Sequence, residues 1–246
     1  MIKIENLSKD FGNTKAVVDL NLEIKKGEFF AFLGPNGAGK TTTIKLMTGL
    51  LKPSQGRVLI GGHDMKDSGF LAKRIIGYIP EYPYLYERLT AREFVEFILE
   101  VYGSYAVSLE SKIQEMFELF GLGAYQDTLI QDYSHGMRQR LIYISCLIHE
   151  PEVLIIDEPL VALDPQASRL VKDILKKRSE AGATIFMSTH ILSVAEELAD
   201  RIGIIDSGKL IALGSLNELK KLTGTNKGLE EAFLRLTEDD SGRLIR

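Results

Sequence analysis

The sequence lacks the features that mark secreted, membrane-spanning and nucleic-acid-binding proteins. Its 246 residues include one cysteine, Cys146, which excludes an internal disulfide and fits a reducing compartment. The apolar neighbours of Cys146 predict a buried structural thiol. Lys and Arg number 30 against 34 Asp and Glu, so there is no basic excess and we expect no direct binding of nucleic acid. No apolar run approaches the roughly 18 residues that span a bilayer, and the N-terminus has no apolar signal region. We therefore expect a chain that is neither secreted nor integral to a membrane.

The first third of the chain predicts strands and one helix around a glycine-rich loop. Residues 2–7 and 17–28 alternate polar and apolar side chains, as half-buried strands do. Residues 28–34 form a continuous apolar run, which is typical of a buried strand. Apolar residues then recur at steps of three and four over residues 40–51, which predicts a helix. Residues 56–65 have the pattern of a β-hairpin with a Gly-Gly turn.

The rest of the chain predicts a helical insertion followed by further strands. Residues 90–150 have helical periodicity throughout. Strand-type runs resume at residues 153–157 and 184–188, and a helix over residues 168–180 separates them. This β-α-β order predicts parallel strands and an α/β fold. From residue 216 onward the tail is predicted to be helical.

The glycine-rich loop matches the phosphate-binding pattern G-x-x-x-x-G-K-[ST] and lies between a predicted buried strand and a predicted helix. Its glycines allow successive N–H groups to point at phosphate oxygens, and the helix N-terminus adds positive potential. Lys40 is predicted to bridge the β- and γ-phosphates, and the Thr41 hydroxyl to bind Mg²⁺. The predicted nucleotide-binding residues here are Gly34, Pro35, Asn36, Gly37, Ala38, Gly39, Lys40, Thr41 and Thr42.

Two acidic residues follow the buried strand at residues 153–157 and are candidates for the chemistry. Asp157 ends that strand, where its carboxylate can hold Mg²⁺ through water. Glu158 follows at once and points elsewhere, so it can polarise an attacking water as a general base.

Two further stretches provide phosphate contacts. Ser134 is placed as the N-cap of a helix, so its hydroxyl and the free N–H groups near Gly136 form a second anion site. His190 follows the strand at residues 184–188, from which its imidazole can reach a γ-phosphate.

Together these motifs resemble, in order and over nearly the whole chain, the ATP-binding subunit of an ATP-binding-cassette (ABC) transporter. The closest likeness is to the branch of exporter ATPases that includes Ecs-type and drug-, haem- and polysaccharide-export subunits. The resemblance assigns Phe11 to adenine stacking and Asp164 to the D-loop. The matching segments are Phe11, residues 34–41 (Walker A), 133–137 (signature), 154–159 (Walker B), 162–164 (D-loop) and 188–190 (H-loop).

The resemblance implies a single P-loop NTPase domain of several parts. Residues 1–82 and 151–215 would form a RecA-like core with a parallel sheet and an N-terminal antiparallel β subdomain. Residues 83–150 would form the inserted helical subdomain that carries the signature motif, and residues 216–246 a helical tail. Two cassettes would face head to tail around two Mg-ATP, with Ser134 and Gly136 reaching the nucleotide held by the Lys40 of the other copy.

The resemblance also implies the partners. These would be integral membrane transporter subunits and a second cassette, either an identical copy or a paralogue. The chain would lie on the cytoplasmic face of the cell membrane, and transport would be export. An aromatic loop after Glu81 is the expected coupling surface towards the membrane subunits, although an aromatic loop can also serve as buried packing. Its members are Tyr82, Tyr84, Leu85, Tyr86 and Leu89.

Two residues depart from the family pattern. His135 stands where the signature motif usually has Gly. We expect this substitution to be tolerated, since the flanking Ser134 and Gly136 are present, and the alternative is an altered contact with the second cassette or an altered pH response. Glu81 stands where the family usually has Gln, and we expect it to approach Mg²⁺ and to link the site to the aromatic loop. The alternative is that Glu81 is a solvated loop acid that faces away from the nucleotide.

Other classes of protein share part of this pattern. A soluble ABC-type ATPase with a regulatory role would have the same site, but the translation type carries two cassettes and the chromosome type a long coiled coil, and neither is present in the sequence. A small-molecule P-loop kinase would not need the signature motif, and a binding module without activity would not need Glu158. The transported compound cannot be read from this sequence.

Overall fold

The computed structural model describes residues 1–82, 84–103, 109–161, 163–224 and 228–237. Within them, an antiparallel sheet has the strand order β2-β1-β4-β5. The predicted Gly-Gly hairpin is confirmed, since Gly61 and Gly62 both have positive φ between β4 and β5. The strands of this sheet are β1 (Ile2–Phe11), β2 (Thr14–Ile24), β4 (Gln55–Ile60) and β5 (His63–Asp64).

A second sheet has the order β10-β9-β3-β8-β7-β6. All its neighbouring strands are parallel except β10, which pairs with β9 in the antiparallel direction. The parallel arrangement confirms the predicted α/β fold. The strands are β3 (Phe29–Leu33), β6 (Ile76–Ile79), β7 (Val153–Asp157), β8 (Thr184–Thr189), β9 (Arg201–Asp206) and β10 (Lys209–Gly214).

Strand β3 is buried on both faces, as its continuous apolar run predicts. Alternate side chains enter different cores. Phe29 and Leu33 pack with the helical insertion, whereas Phe30 and Phe32 pack against the antiparallel sheet. Because the loop after β3 starts from a strand fixed on both sides, its position relative to both sheets is fixed as well.

The helical insertion separates β6 from β7, which are neighbours in the sheet. A capping box at Thr90 and Glu93 starts its first helix. No helix in the described ranges is both long and apolar enough to cross a membrane. The helices are α1 (Lys40–Met47), α2 (Gly69–Arg74), α3 (Ala91–Val101), α4 (Glu110–Leu119), α5 (His135–Leu147), α6 (Pro165–Glu180), α7 (Leu192–Leu198), α8 (Leu216–Thr223) and α9 (Leu229–Thr237).

Two helix ends differ from the sequence expectation. Helix α1 stops at Met47 and does not continue to residue 51, because Gly49 has a φ of 70° and ends the helical path. Helix α6 begins earlier than predicted, because Asp164 caps it and Pro165 occupies its first turn. The predicted helical tail is present as α8 and α9, while its last part, residues 238–246, lies outside the described residues. The residue boundaries given to the parts of the domain stay predictions.

Candidate active site

A cleft of about 590 Å³ lies at the C-terminal edge of the parallel sheet. The strands β3, β6, β7 and β8 end there, and each is followed by at least one polar residue that lines the cleft. The lining includes these predicted site residues: Asn36, Gly37, Gly39, Lys40, Thr41, Thr42, Glu81, Glu158 and His190.

The loop after β3 needs glycine at two positions. A Cβ atom on Gly34 would lie 2.3 Å from the carbonyl oxygen of Ile205. Gly39 has a φ of 107°, and a Cβ atom there would lie 2.4 Å from the carbonyl oxygen of Ala16. Neighbouring backbone therefore packs directly against the loop, which no larger residue would permit.

The ammonium group of Lys40 lies inside this loop. Its Nζ donates to the carbonyl oxygens of Gly34 at 2.8 Å and Pro35 at 3.2 Å, and the side chain is 7% exposed. Burial lowers the pKa of Lys40, and the negative charges of Glu158, Asp157 and Glu81 act in the opposite direction. The Lys40 ammonium group thus places a positive charge at the centre of the loop, where the glycines and the helix N-terminus also favour phosphate binding.

Glu158 lies between two nitrogen atoms. Its Oε1 is 3.9 Å from Lys40 Nζ and 2.9 Å from His190 Nδ1, and its side chain is 8% exposed. Its backbone has a φ of 53°, which is uncommon outside glycine and costs about 1–3 kcal/mol. Its N–H donates to the carbonyl oxygen of Ser188 at 3.2 Å. The chain thus holds this carboxylate at the floor of the cleft at some cost in backbone strain.

Asp157 lies beneath the floor of the cleft and is 1% exposed. Its Oδ1 accepts a short hydrogen bond from the Ser188 hydroxyl, while Thr41, in the first turn of α1, lines the cleft. A hydroxyl and a carboxylate are hard oxygen ligands, which suits Mg²⁺. Among the described residues no group of three or more His, Cys, Asp or Glu side chains could hold a metal by itself. This donor set fits an ion that takes its other ligands from phosphates and water, as Mg²⁺ does at nucleotide sites.

Seven predicted nucleotide-binding residues do not line this cleft. Three of them, Gly34, Pro35 and Ala38, belong to the glycine-rich loop itself, and four lie outside that loop. Phe11, the predicted adenine-stacking residue, is 48% exposed at the end of β1, with Lys9 Nζ 5.0 Å from its ring centre. Ser134 caps α5, its Oγ accepting from the Met137 N–H at 3.3 Å, and Gly136 lies in the first turn of that helix. The fourth is Asp164.

The segment around Asp164 caps a different helix. Asp164 Oδ1 accepts from the Ala167 N–H at 2.8 Å at the start of α6. That hydrogen bond is the main reason why its pKa is lowered, and the charge of Arg140 on α5 adds a smaller effect. Ala162, which completes the predicted D-loop, lies outside the described residues. The structure thus places Asp164 between α5 and α6.

Glu81 lines the cleft with Tyr82, and its charge acts on Lys40. The aromatic loop that follows has side chains on the surface, with Tyr82 64%, Tyr84 90% and Tyr86 60% exposed. Leu85 and Leu89 of the same loop pack against the core. The loop therefore combines an apolar base with exposed rings.

Four other lining residues were not predicted from the sequence: Thr14, Lys15, Ala16 and Ser207. Thr14, Lys15 and Ala16 are the first residues of β2, and Ser207 lies in the turn between β9 and β10. Nothing in the local sequence of either segment signals a binding site. Tertiary contacts bring these segments to the loop. The Gly208 N–H donates to the Ala38 carbonyl oxygen at 2.9 Å, and the Val18 N–H donates to the Gly208 carbonyl oxygen at 2.8 Å.

A glycine-rich loop around a buried lysine, with a carboxylate and an imidazole at the ends of neighbouring parallel strands, defines a P-loop ATPase. The comparison with known families narrows this class. Residues 17–161 match the ABC transporter family model, and the chain belongs to that family. It is therefore an ATP-binding subunit of the ABC ATPase class, which confirms the resemblance and the fold predicted from the motifs.

Similar proteins carry names that agree with this assignment. The linearmycin resistance ATP-binding protein LnrL of Bacillus subtilis (strain 168) is 37% identical over 241 residues, covering 95% of this chain and 78% of LnrL. The probable multidrug ABC transporter ATP-binding protein YbhF of Escherichia coli (strain K12) is 37% identical over 243 residues. This match covers 97% of the chain but only 42% of YbhF.

Solved structures show the same architecture. The structure of an ATP-binding subunit of an ABC transporter superposes with a TM-score of 0.92 at 32% identity, over 96% of this chain and 99% of that one. A dimeric ATP-binding cassette in a post-hydrolysis state, bound to ADP and Pi, superposes with a TM-score of 0.78 at 28% identity. That match covers 87% of this chain and 98% of the cassette.

Proposed function

We propose that this chain hydrolyses ATP at sites shared with a second cassette and drives export through separate membrane subunits. The observation that carries the proposal is a division of the site within one chain. Lys40, Glu158 and His190 meet in the cleft, whereas Ser134 and Gly136 lie on a helix start outside it. A second copy or a paralogue placed head to tail would bring its own helix start to the open side of the cleft.

Each residue in the cleft has a role in this proposal. Lys40 binds the β- and γ-phosphates, since it is a buried cation inside the loop. Glu158 accepts a proton from water while the water oxygen bonds to the γ-phosphorus, and the bond from that phosphorus to ADP breaks. His190 orients the Glu158 carboxylate and contacts the γ-phosphate. Thr41 and Asp157 would hold Mg²⁺, which would supply positive charge at the phosphates.

The surface beside the cleft supports a membrane partner. Exposed tyrosines are enriched at the centres of protein interfaces, and the loop with Tyr82, Tyr84 and Tyr86 begins one residue after Glu81. We infer that the cytoplasmic side of a membrane subunit docks there, which places the chain on the inner face of the membrane. The relatives named for linearmycin resistance and for multidrug transport support export of drug-like compounds.

A mixing experiment tests the shared site. Lys40→Ala removes phosphate binding by the glycine-rich loop, and Ser134→Arg blocks the proposed contact of α5 with the nucleotide of the other cassette. Each variant alone should therefore be inactive at both sites of its dimer. In a mixed dimer, the Lys40 of one variant faces the Ser134 of the other, which restores one complete site. With random pairing we expect about a quarter of wild-type hydrolysis, because half the dimers are mixed and each has one intact site.

The control is a chain that carries both substitutions, mixed with either single variant. No intact site can form in that mixture, so it should show no recovery. If mixing the two single variants also restores nothing, although both fold and Ser134→Arg still binds ATP, Ser134 does not act across a dimer and the proposal fails.

A further inference from the structure

Helix α5 touches the catalytic loop through a tyrosine. Tyr143 is fully buried, and its hydroxyl donates to the carbonyl oxygen of Pro159 at 2.6 Å. Pro159 follows Glu158 directly in the sequence. Burial raises the pKa of Tyr143 well above its ordinary value, so the hydroxyl keeps its proton and remains a donor at working pH. The hydrogen bond therefore joins the signature helix to the residue beside the proposed base.

The backbone of Glu158 has an uncommon conformation that neighbouring groups must stabilise. Glu158 has a φ of 53°, and such a conformation persists only where neighbouring groups fix it. On the side of the sheet, the Ser188 carbonyl oxygen accepts from the Glu158 N–H. On the side of the helical insertion, the Tyr143 hydroxyl holds the next carbonyl group. These two contacts hold the backbone of the proposed base from opposite sides.

The preceding turn of α5 contains two other polar residues. One turn before Tyr143, Gln139 is fully buried, and neither of its amide atoms has a hydrogen-bond partner in the part of the chain that the structure describes. Beside it, Arg140 lies close enough to Asp164 for its charge to act on that carboxylate. Helix α5 thus bonds to Pro159 through Tyr143, and the charge of Arg140 acts on Asp164.

We propose that Tyr143 is a positioning residue for ATP hydrolysis: its hydroxyl fixes the Pro159 carbonyl group and thereby aims the Glu158 carboxylate. Helix α5 also carries Ser134 at its start. If Ser134 contacts the partner's nucleotide, as the proposed function requires, Tyr143 makes the geometry of one site depend on occupancy of the other. The residue acts through Glu158 and does not touch the substrate itself.

Tyr143→Phe tests this inference, because it removes the hydroxyl and keeps the buried ring. We expect kcat for ATP to fall about ten-fold, since small errors in the position of a base are costly, while KM stays within about two-fold. The matched control is Tyr102→Phe. The Tyr102 hydroxyl also donates to a backbone carbonyl oxygen, that of Ile76, at 3.1 Å. Ile76 is the first residue of β6, so this hydrogen bond lies at the end of the strand opposite the cleft. This control should keep its kcat.

A second measurement separates positioning from general loosening of the fold. Each tyrosine variant is combined with Glu158→Gln, and residual hydrolysis is measured in a single turnover. If Tyr143 acts through Glu158, its substitution should have no further effect in that background, within about two-fold. An additive ten-fold loss, an unchanged kcat in Tyr143→Phe alone, or equal losses in both tyrosine variants would overturn the inference. Hydrolysis by Glu158→Gln at the wild-type rate would instead refute the role proposed for Glu158.

Discussion

Replacing Glu158 by Gln keeps the size of the side chain and removes its negative charge from a site that contains Lys40. The two side chains are 8% and 7% exposed, and Glu158 Oε1 lies 3.9 Å from Lys40 Nζ. At an effective dielectric constant near 20, that separation corresponds to an attraction of about 4 kcal/mol. In the molecule without nucleotide, Lys40 is therefore shared between the loop carbonyl groups and Glu158.

The substitution should have opposite effects on binding and on chemistry. Without Glu158 as a competitor, Lys40 is more available to phosphate. If a quarter of the attraction is recovered, about 1 kcal/mol, the Kd for Mg-ATP falls about five-fold. Loss of the base should slow hydrolysis by about 10²- to 10⁴-fold, or roughly 3–5 kcal/mol of transition-state stabilisation. ATP should consequently remain bound and hold the two cassettes together.

Three measurements check this prediction: the Kd for Mg-ATP, single-turnover hydrolysis, and molecular mass by light scattering with and without Mg-ATP. Glu152→Gln is the matched control, since Glu152 is a half-exposed acid just before the other end of β7. It should hydrolyse ATP normally and form no lasting dimer. If Glu158→Gln hydrolyses ATP within about three-fold of wild type, Glu158 is not the base. If Glu158→Gln binds ATP more weakly than wild type, Glu158 does not compete with phosphate for Lys40. If this variant stays monomeric with Mg-ATP, the proposal of a site shared between two cassettes is contradicted.

Further outcomes are expected at four other positions. Lys40→Ala should abolish ATP binding in a calorimetric titration, and near-native affinity would contradict its phosphate role. Gly39→Ala should weaken ATP binding at least about ten-fold, because the new Cβ meets the Ala16 carbonyl oxygen at 2.4 Å; unchanged affinity would show that the loop relaxes. Glu81→Gln should keep most ATPase activity in the assembled transporter, whereas Glu81→Ala should weaken stimulation by the membrane subunits. Identical Mg²⁺ titrations for both variants and wild type would exclude a sensor role. Burial raises the pKa of Cys146 to about 12, so the folded chain should resist iodoacetamide at about pH 8 and react once denatured, which mass spectrometry can follow; rapid labelling of the folded chain would contradict this.

The parts of the site that lie in contiguous residues could be predicted from the sequence. The loop from Gly34 to Thr41 carries its own pattern, and parallel strands bring Glu158 and His190 to the same edge. Tertiary contacts carry no such local signal. Lys15 at the start of β2 and Ser207 in the turn after β9 reach the cleft from different sheets. Helical periodicity predicts that Tyr143 is buried without indicating that it bonds to Pro159.

The ends of helices are also hard to predict from the pattern of side chains. The apolar spacing of residues 40–51 continues past Met47, but the φ of 70° at Gly49 ends α1. The pattern of side chains reports which face is apolar, whereas the backbone angle at a single glycine decides where the helix stops. Strand β3 was predicted well because burial on both faces leaves an uninterrupted apolar run.

The contacts that support the phosphate loop affect when the loop can form during synthesis on the ribosome. The loop is translated early, yet Gly208, whose N–H supports the Ala38 carbonyl group, is translated late. The β3 strand before the loop also pairs with β8 and β9. Contacts between distant parts of a sequence are slow to form, because closing the long intervening loop costs entropy first. We therefore expect a nascent chain to capture nucleotide only after β9 and β10 have emerged, so that ATP binding marks a cassette whose parallel sheet is complete.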